Sequence, residues 1–355
     1  MRHPIALLLV IMPLFFSAAD SAGSFAGFPN IRLKSGVTGL CSHLIQPAGF
    51  SCSEHSTETK DGYVLGLQRV GSGSGIVNGE LVPPFFSFTS FYGFLDWSWQ
   101  ELALYDLAEM TRYVYSITNS KVSIVGHSQG TIISLAALTQ PNIVEMVEAA
   151  ALLCPISYLD HMTSTFVLRM VKMYLDEVIL ALGVHELNFK SVLATRIMDM
   201  MCDGHVNCDD MLSAITGKDC CFNSSRIDLY LDYEPHPSST KNLIHLFQMI
   251  RKGTFAKYDY GRWKNLILYG QRNPPEFDLS EIPQSLPLWM GYGGNDALAD
   301  VADVEHTLRE LKGKPDVLYL GDYGHIDFIL SVRSKEDVYD SMVGFLKSLQ
   351  KASNL

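Results

Sequence analysis

The 355-residue chain has no uninterrupted apolar run of the roughly 20 residues a membrane-spanning helix needs. Its N-terminal apolar stretch, Ile5 to Phe16, is shorter and is interrupted by Pro13. There is no block of Lys or Arg, and the net charge is −11. Nucleic acid is thereby excluded as a partner, because it needs a clustered positive surface to displace its counterions. No pair among the seven cysteines (41, 52, 154, 202, 208, 220 and 221) has Cys-x-x-Cys spacing. Even with His205 the last four make a poor zinc set. No repeat occurs, and the one low-complexity stretch, Gly71-Ser-Gly-Ser-Gly75, lacks the Gly-Lys-Ser/Thr of a phosphate loop. It reads as a turn.

What is present is a chain 47% hydrophobic and 18% charged, enough to bury a full core as one large α/β domain with an insertion, or as two domains. Arg2 and His3, the apolar run and Ser17-Ala18-Ala19 have the form of a secretory signal, residues 1–19, with a small-residue cleavage site. Seven cysteines suit an oxidising compartment with one or two disulfides, and Asn223-Ser224-Ser225 is a glycosylation sequon usable only after export.

Hydrophobic periodicity sets out alternating elements. Tyr63–Val70 reads as a strand, and 96–118 as a helix with Leu104, Leu107, Met110, Val114 and Ile117 on one face. Lys121–Val125 is a short strand, Thr131–Thr139 a helix, and Ala149–Cys154 a strand. Leu286–Gly291 and Asp316–Leu320 are strands around a helix at Val301–Lys312, and a last helix covers Lys335–Gln350. This alternation predicts a mostly parallel sheet flanked by helices. It stops between Pro155 and Pro287. From Thr165 to Leu182 the apolar positions 166, 170, 174, 178 and 182 line one helical face and are expected mostly to pack on the body, with Lys172 and Asp176 paired at i,i+4. The segment reads as an inserted, mainly helical cap. The division is 20–155 and 287–355 for the two parts of the core and 156–286 for the cap.

Gly126-His-Ser-Gln-Gly130 fits G-x-S-x-G between a strand and a helix, the context in which a serine is held exposed on a sharp turn at the sheet's carboxyl edge. A serine hydroxyl needs a base, and the base needs a carboxylate to orient it. Asp296, after the strand at 286–291, and His325, after the strand at 316–320, follow Ser128 in the order this architecture uses. Asp300, Asp303 and Asp327 are the rival acids, placed within or beside helices.

The residues 41–55 (Cys-Ser-His-Leu-Ile-Gln-Pro-Ala-Gly-Phe-Ser-Cys-Ser-Glu-His), Thr59-Lys-Asp-Gly-Tyr63 and Leu67-Gln-Arg-Val70 carry a family resemblance. So do Asp96-Trp-Ser-Trp99 with the helix after it, Gly126–Gly130, Gly293-Gly-Asn-Asp-Ala-Leu-Ala-Asp300 and Tyr323-Gly-His-Ile-Asp-Phe328. From about residue 41 to 350 the chain resembles the acid lipases of the α/β-hydrolase fold, which include lysosomal acid lipase, gastric lipase and secreted plant triacylglycerol lipases. The resemblance implies Ser128 as nucleophile, Asp296 as acid, His325 as base and the Gln129 backbone N–H as an oxyanion donor. It implies a cap acting as a lid over a site for long acyl chains. The implied partners are a neutral lipid ester and a lipid droplet or emulsion surface, with no metal or cofactor.

The chain departs from that family after Pro84. Members carry there a strand ending in a His-Gly-Leu-type turn, a helix and a further strand. Here only 11 residues separate Pro84 from Asp96, with no His-Gly turn among them. Two strands and a helix need roughly 40 residues. The expectation is an α/β-hydrolase with two central strands and a helix missing, and one oxyanion donor with them. It is read as a serine lipase or esterase of secreted or lumenal location. The alternatives are a lipid-binding relative impaired in catalysis, and an acyltransferase or thioesterase using the same triad.

Overall fold

Val122–His127 shows no polar–apolar alternation, as expected of a strand covered on both faces, and all six of its residues are buried in the middle of the sheet. The computed structural model describes residues 6–11, 39–71, 76–77, 80–81, 85–91, 96–187, 211–222 and 238–352. The strands of its main sheet are β1 (Ala6–Ile11), β2 (Ser51–Glu58), β3 (Val64–Gly71), β4 (Phe85–Phe91), β5 (Val122–His127), β6 (Val147–Leu153), β7 (Leu288–Gly293) and β8 (Asp316–Leu320). They form one eight-stranded sheet in the order β8-β7-β6-β5-β1-β4-β3-β2. Every neighbouring pair from β8 to β4 is parallel, whereas β3 is antiparallel to both β4 and β2.

Eight strands correct the expectation that two central strands are missing. Phe85–Phe91 takes one of the two places as β4. The other is taken by Ala6–Ile11, part of the segment read as a secretory signal. Its register sets Leu8 between Ile124 of β5 and Phe86 of β4. The physical reason is compositional: Ala-Leu-Leu-Leu-Val-Ile is the continuous apolar run that a central parallel strand requires. The family's intervening helix has no counterpart among the described residues of 85–98.

Helix α1 (Leu107–Thr118) follows a capping box in which the backbone N–H and hydroxyl of Ser98 both donate to Glu101 Oε2, at 2.7 and 2.8 Å. Helix α2 (Gln129–Leu138) starts two residues before the predicted Thr131, directly after Ser128. All ten of its residues are buried, so it is a core helix with no solvent face. Trp99, Leu102, Ile124, Ile132, Leu135, Leu152, Met290 and Phe328 share one apolar cluster across both faces of the sheet. Each such side chain contributes about 1.5–3 kcal/mol by leaving water. Helix α8 (Val301–Glu310) lies between β7 and β8, and the terminal helix α9 (Asp340–Ala352) follows the turn Lys335–Tyr339.

Between β6 and β7 the described residues hold helices α3 (Thr165–Lys172), α4 (Leu175–Ala181), α5 (Met211–Thr216), α6 (Thr240–Lys252) and α7 (Arg262–Tyr269). Two expectations fail here for one reason. Tyr174 takes a left-handed conformation (φ 50°) that ends α3 and restarts the chain as α4. The stripe 166–182 is therefore not one face: Phe166 is buried, but Tyr174, Val178 and Leu182 are exposed. Asp176 does not face Lys172. It is fully buried and receives both guanidinium nitrogens of Arg251 on α6, one of them at 3.1 Å. Cys202, His205, Cys208 and the sequon at Asn223 lie outside the described residues, as do residues 1–5 and 12–19 of the predicted signal. Among the described residues no helix is long and apolar enough to cross a membrane.

Candidate active site

The strand-to-helix turn at 126–130 is tight because nothing larger than glycine fits. A Cβ on Gly126 would stand 2.9 Å from the carbonyl oxygen of Gly130. Ser128 holds the strained backbone such a turn imposes, with φ 55° and ψ −122°, and its N–H donates to Leu153 O at 3.1 Å. Its hydroxyl sits at the carboxyl end of β5, where α2 directs its N-terminal partial positive charge.

The structure brings the three sequence-predicted side chains together. His325 Nε2 lies 2.7 Å from Ser128 Oγ, and His325 Nδ1 lies 2.9 and 3.0 Å from the two oxygens of Asp296. All three residues are buried. Asp296 Oδ1 also accepts the N–H groups of Leu298 and Ala299 at 2.9 and 2.8 Å, which fixes the plane of the carboxylate. The rival acids are occupied elsewhere. Asp300 caps α8 through Ala302 N, and Asp303 binds His161 Nδ1 at 2.7 Å. Asp327 accepts Gly324 N and Cys220 N, each at 2.8 Å, and so braces the turn that carries His325.

The end of α5 touches both loops of the site. Thr216 O accepts the N–H of His325 at 3.1 Å and that of Ala297 at 3.3 Å. The next residue has to be glycine: Gly217 has φ 92°, and a Cβ there would lie 1.9 Å from Asn295 O.

Sequence reasoning missed four residues that surround this constellation. His127 Nε2 donates to His325 O at 3.1 Å; burial, then the nearby His325, pushes its pKa down to about 3, so it stays neutral. Cys154 donates its thiol to the same oxygen at 3.3 Å, and burial raises its pKa well above the usual range. Thr131 hydrogen-bonds the carbonyl of Ser128 through both its N–H, at 2.8 Å, and its hydroxyl, which itself accepts Ile156 N at 2.9 Å. Asn242, on α6 between β6 and β7, donates its side-chain amide to Gln129 Oε1 at 3.0 Å, and both residues are buried. No local motif announces contacts between residues more than a hundred positions apart, as Gln129 and Asn242 are. The N–H of Gln129 belongs to the first turn of α2. The peptide that bears it is thus pinned at its oxygen by Thr131 and through the Gln129 side chain by Asn242.

Cysteines 41 and 52 form a disulfide, as do the adjacent Cys220 and Cys221, while Cys154 is free. The pairing of 220 with 221 leaves neither thiolate for zinc.

No family model matches the chain. It is 54% identical to triacylglycerol lipase 1 of Arabidopsis thaliana over 96% of each chain, and 34% identical to triacylglycerol lipase 2 of the same plant over 96% of this chain and 95% of the relative. Human gastric triacylglycerol lipase is 31% identical over 73% of this chain and 66% of the relative. The alignment with triacylglycerol lipase 1 runs over 388 positions, and 96% of this chain is about 341 residues. About 47 positions of the relative therefore face gaps in this chain. Among solved structures, a soluble variant of monoglyceride lipase from Saccharomyces cerevisiae superposes with a TM-score of 0.53 at 13% identity, covering 86% of this chain and 97% of that one. That likeness shows the fold alone. The relatives, the parallel sheet and the strand–Ser–helix turn agree: the chain belongs to the acid lipase family of α/β-hydrolases, a family of carboxylic ester hydrolases.

Proposed function

We propose that this chain hydrolyses carboxylic esters of neutral lipids, of the triacylglycerol type, through Ser128, His325 and Asp296. The observation that carries the reading is the continuous hydrogen-bonded line from Ser128 Oγ through His325 to Asp296. Ser128 Oγ attacks the acyl carbonyl as His325 Nε2 takes its proton. Asp296, anchored by two backbone N–H groups, holds Nδ1–H and offsets the imidazolium charge that forms. The neutral His127 adds no positive charge beside it. The carbonyl oxygen becomes an oxyanion that accepts the N–H of Gln129. Collapse of this intermediate expels the alcohol, which takes the proton from His325. Water, activated by the same base, then cleaves the acyl-enzyme and releases the fatty acid.

A catalytically impaired, lipid-binding relative is the second reading, favoured by one observation: the sequence has no His-Gly turn to supply a second oxyanion donor. Loss of one donor costs about 10²–10³ in kcat, which leaves measurable turnover. The helices between β6 and β7 supply the lid on the first reading and the lipid groove on the second. The Cys41–Cys52 disulfide supports an oxidising, lumenal or extracellular compartment.

The test is hydrolysis of a water-soluble short-chain ester by the purified chain and by Ser128→Ala, His325→Ala and Asp296→Asn. Each substitution is expected to lower kcat on the order of 10⁴-fold. A variant with full activity removes its residue from the mechanism, and a wild-type chain with no turnover favours the lipid-binding reading.

A further inference from the structure

Helix α7, Arg262-Trp-Lys-Asn-Leu-Ile-Leu-Tyr269, is packed inside out. Its one buried residue is the polar Asn265. Asn265 donates to Asp259 Oδ1 at 2.7 Å and to Arg272 O at 2.9 Å, and accepts Tyr260 N at 2.9 Å. The apolar residues lie on the outside. Trp263 is 84% exposed and Ile267, one turn on, is 82% exposed, with Leu266 exposed beside them. A helix fixed to its protein by an asparagine, with tryptophan and isoleucine at i,i+4 in water, presents an apolar stripe to something outside the chain.

The charge around the stripe identifies that partner. From Arg251 to Asn273 the chain has six cations and one carboxylate, Asp259, although its net charge is −11. Arg251 and Lys252 are paired with Asp176 and Asp259. Arg262 and Lys264 on the helix and Arg272 just after it are exposed and have no carboxylate partner among the described residues. Tryptophan and an aliphatic stripe flanked by Arg and Lys suit a lipid–water boundary, where the ring sits at head-group level and the cations meet anionic groups. The attraction is local, because charges farther off than a Debye length of about 8–10 Å are screened. A second copy of the chain fits the same stripe poorly: a two-fold contact through α7 would set these cations against their own counterparts.

We infer that α7 is the docking element by which this chain settles on an anionic lipid surface, with Trp263 and Ile267 inserting and Arg262, Lys264 and Arg272 reading the charge. The inference rests on the proposed function only for why a lipid surface matters; the binding itself is separable from hydrolysis. The test is co-sedimentation of the full chain with phosphatidylcholine vesicles, with and without one third phosphatidylglycerol, beside turnover of the soluble ester.

Wild type is expected to sediment with the mixed vesicles and roughly tenfold less with the neutral ones. Trp263→Ser with Ile267→Ser should lose vesicle binding by roughly tenfold or more while keeping soluble-ester turnover. Arg262→Glu with Lys264→Glu, both at exposed positions, should lose the preference for anionic vesicles. Wild-type binding retained by both variants overturns the inference, as does a wild type that binds neither vesicle. A wild-type dimer in solution that the Trp263/Ile267 variant splits also overturns it, making the stripe a self-contact. Absence of soluble-ester turnover in wild type overturns the hydrolase reading instead, and the vesicle result still decides the role of α7.

Discussion

Asn242 on α6 and Gln129 at the start of α2 meet through a side-chain hydrogen bond, and the contact bears on one atom, the N–H of Gln129. On the proposed mechanism the N–H of Gln129 is the oxyanion donor, and the orientation of the peptide that carries it governs how much of the developing charge is stabilised. Asn242→Leu keeps the shape and removes the amide. The expected result is a fall in kcat of roughly 3–10-fold with KM unchanged, because the contact acts on the transition state and not on ground-state binding. Gln129→Ala keeps the N–H and should cost about the same, and the double variant no more than either single one. An unchanged kcat in Asn242→Leu, or effects that multiply in the double variant, would sink this role. That Ser128, Asp296 and His325 would meet was legible in the sequence, because each follows a strand in the order the fold demands. Asn242 was not, since its partner lies more than a hundred residues away and no local motif marks it.

At the scale of elements, β1 decides whether the sheet is whole. Leu8 lies between β4 and β5, so a proline there removes a ladder donor and leaves a buried acceptor unpaired, at about 1–3 kcal/mol. Leu8→Pro should lower Tm by roughly 2–4 °C for each kcal/mol lost, and a chain beginning after Ala19 should lose cooperative unfolding, both read by thermal denaturation. Wild-type melting in the chain lacking residues 1–19 would show that the sheet does not need β1. The strands β5 to β8 were legible in outline because each is a short apolar run closed by glycine, proline or a turn. The role of Ala6–Ile11 was hidden, because an apolar run after Arg2 has the same pattern as a secretory signal and as a buried strand; only pairing distinguishes them. The helix read over Thr165–Leu182 breaks at Tyr174, whose left-handed backbone no propensity would have marked. That break sends Asp176 inward to Arg251 and Val178 and Leu182 outward.

For the whole molecule, the sheet includes part of the segment whose composition reads as a secretory signal, while the Cys41–Cys52 disulfide favours an oxidising compartment. Both hold together if the N-terminal segment is retained after entry into that compartment. The molecule is acidic overall, yet the chain around α7 is basic and apolar, so attraction to a lipid surface belongs to one part of the cap. The family's two central strand places are filled from Phe85–Phe91 and Ala6–Ile11, which lets a shortened chain keep Ser128, Asp296 and His325 in register at the carboxyl edge. The central claim is that this filled sheet still carries a working ester hydrolase. The most direct measurement is fatty acid released from an emulsified triacylglycerol by the purified full-length chain, beside its Ser128→Ala variant. The wild type is expected to release fatty acid and the variant to release none. A folded wild type that releases no more fatty acid than Ser128→Ala would contradict it.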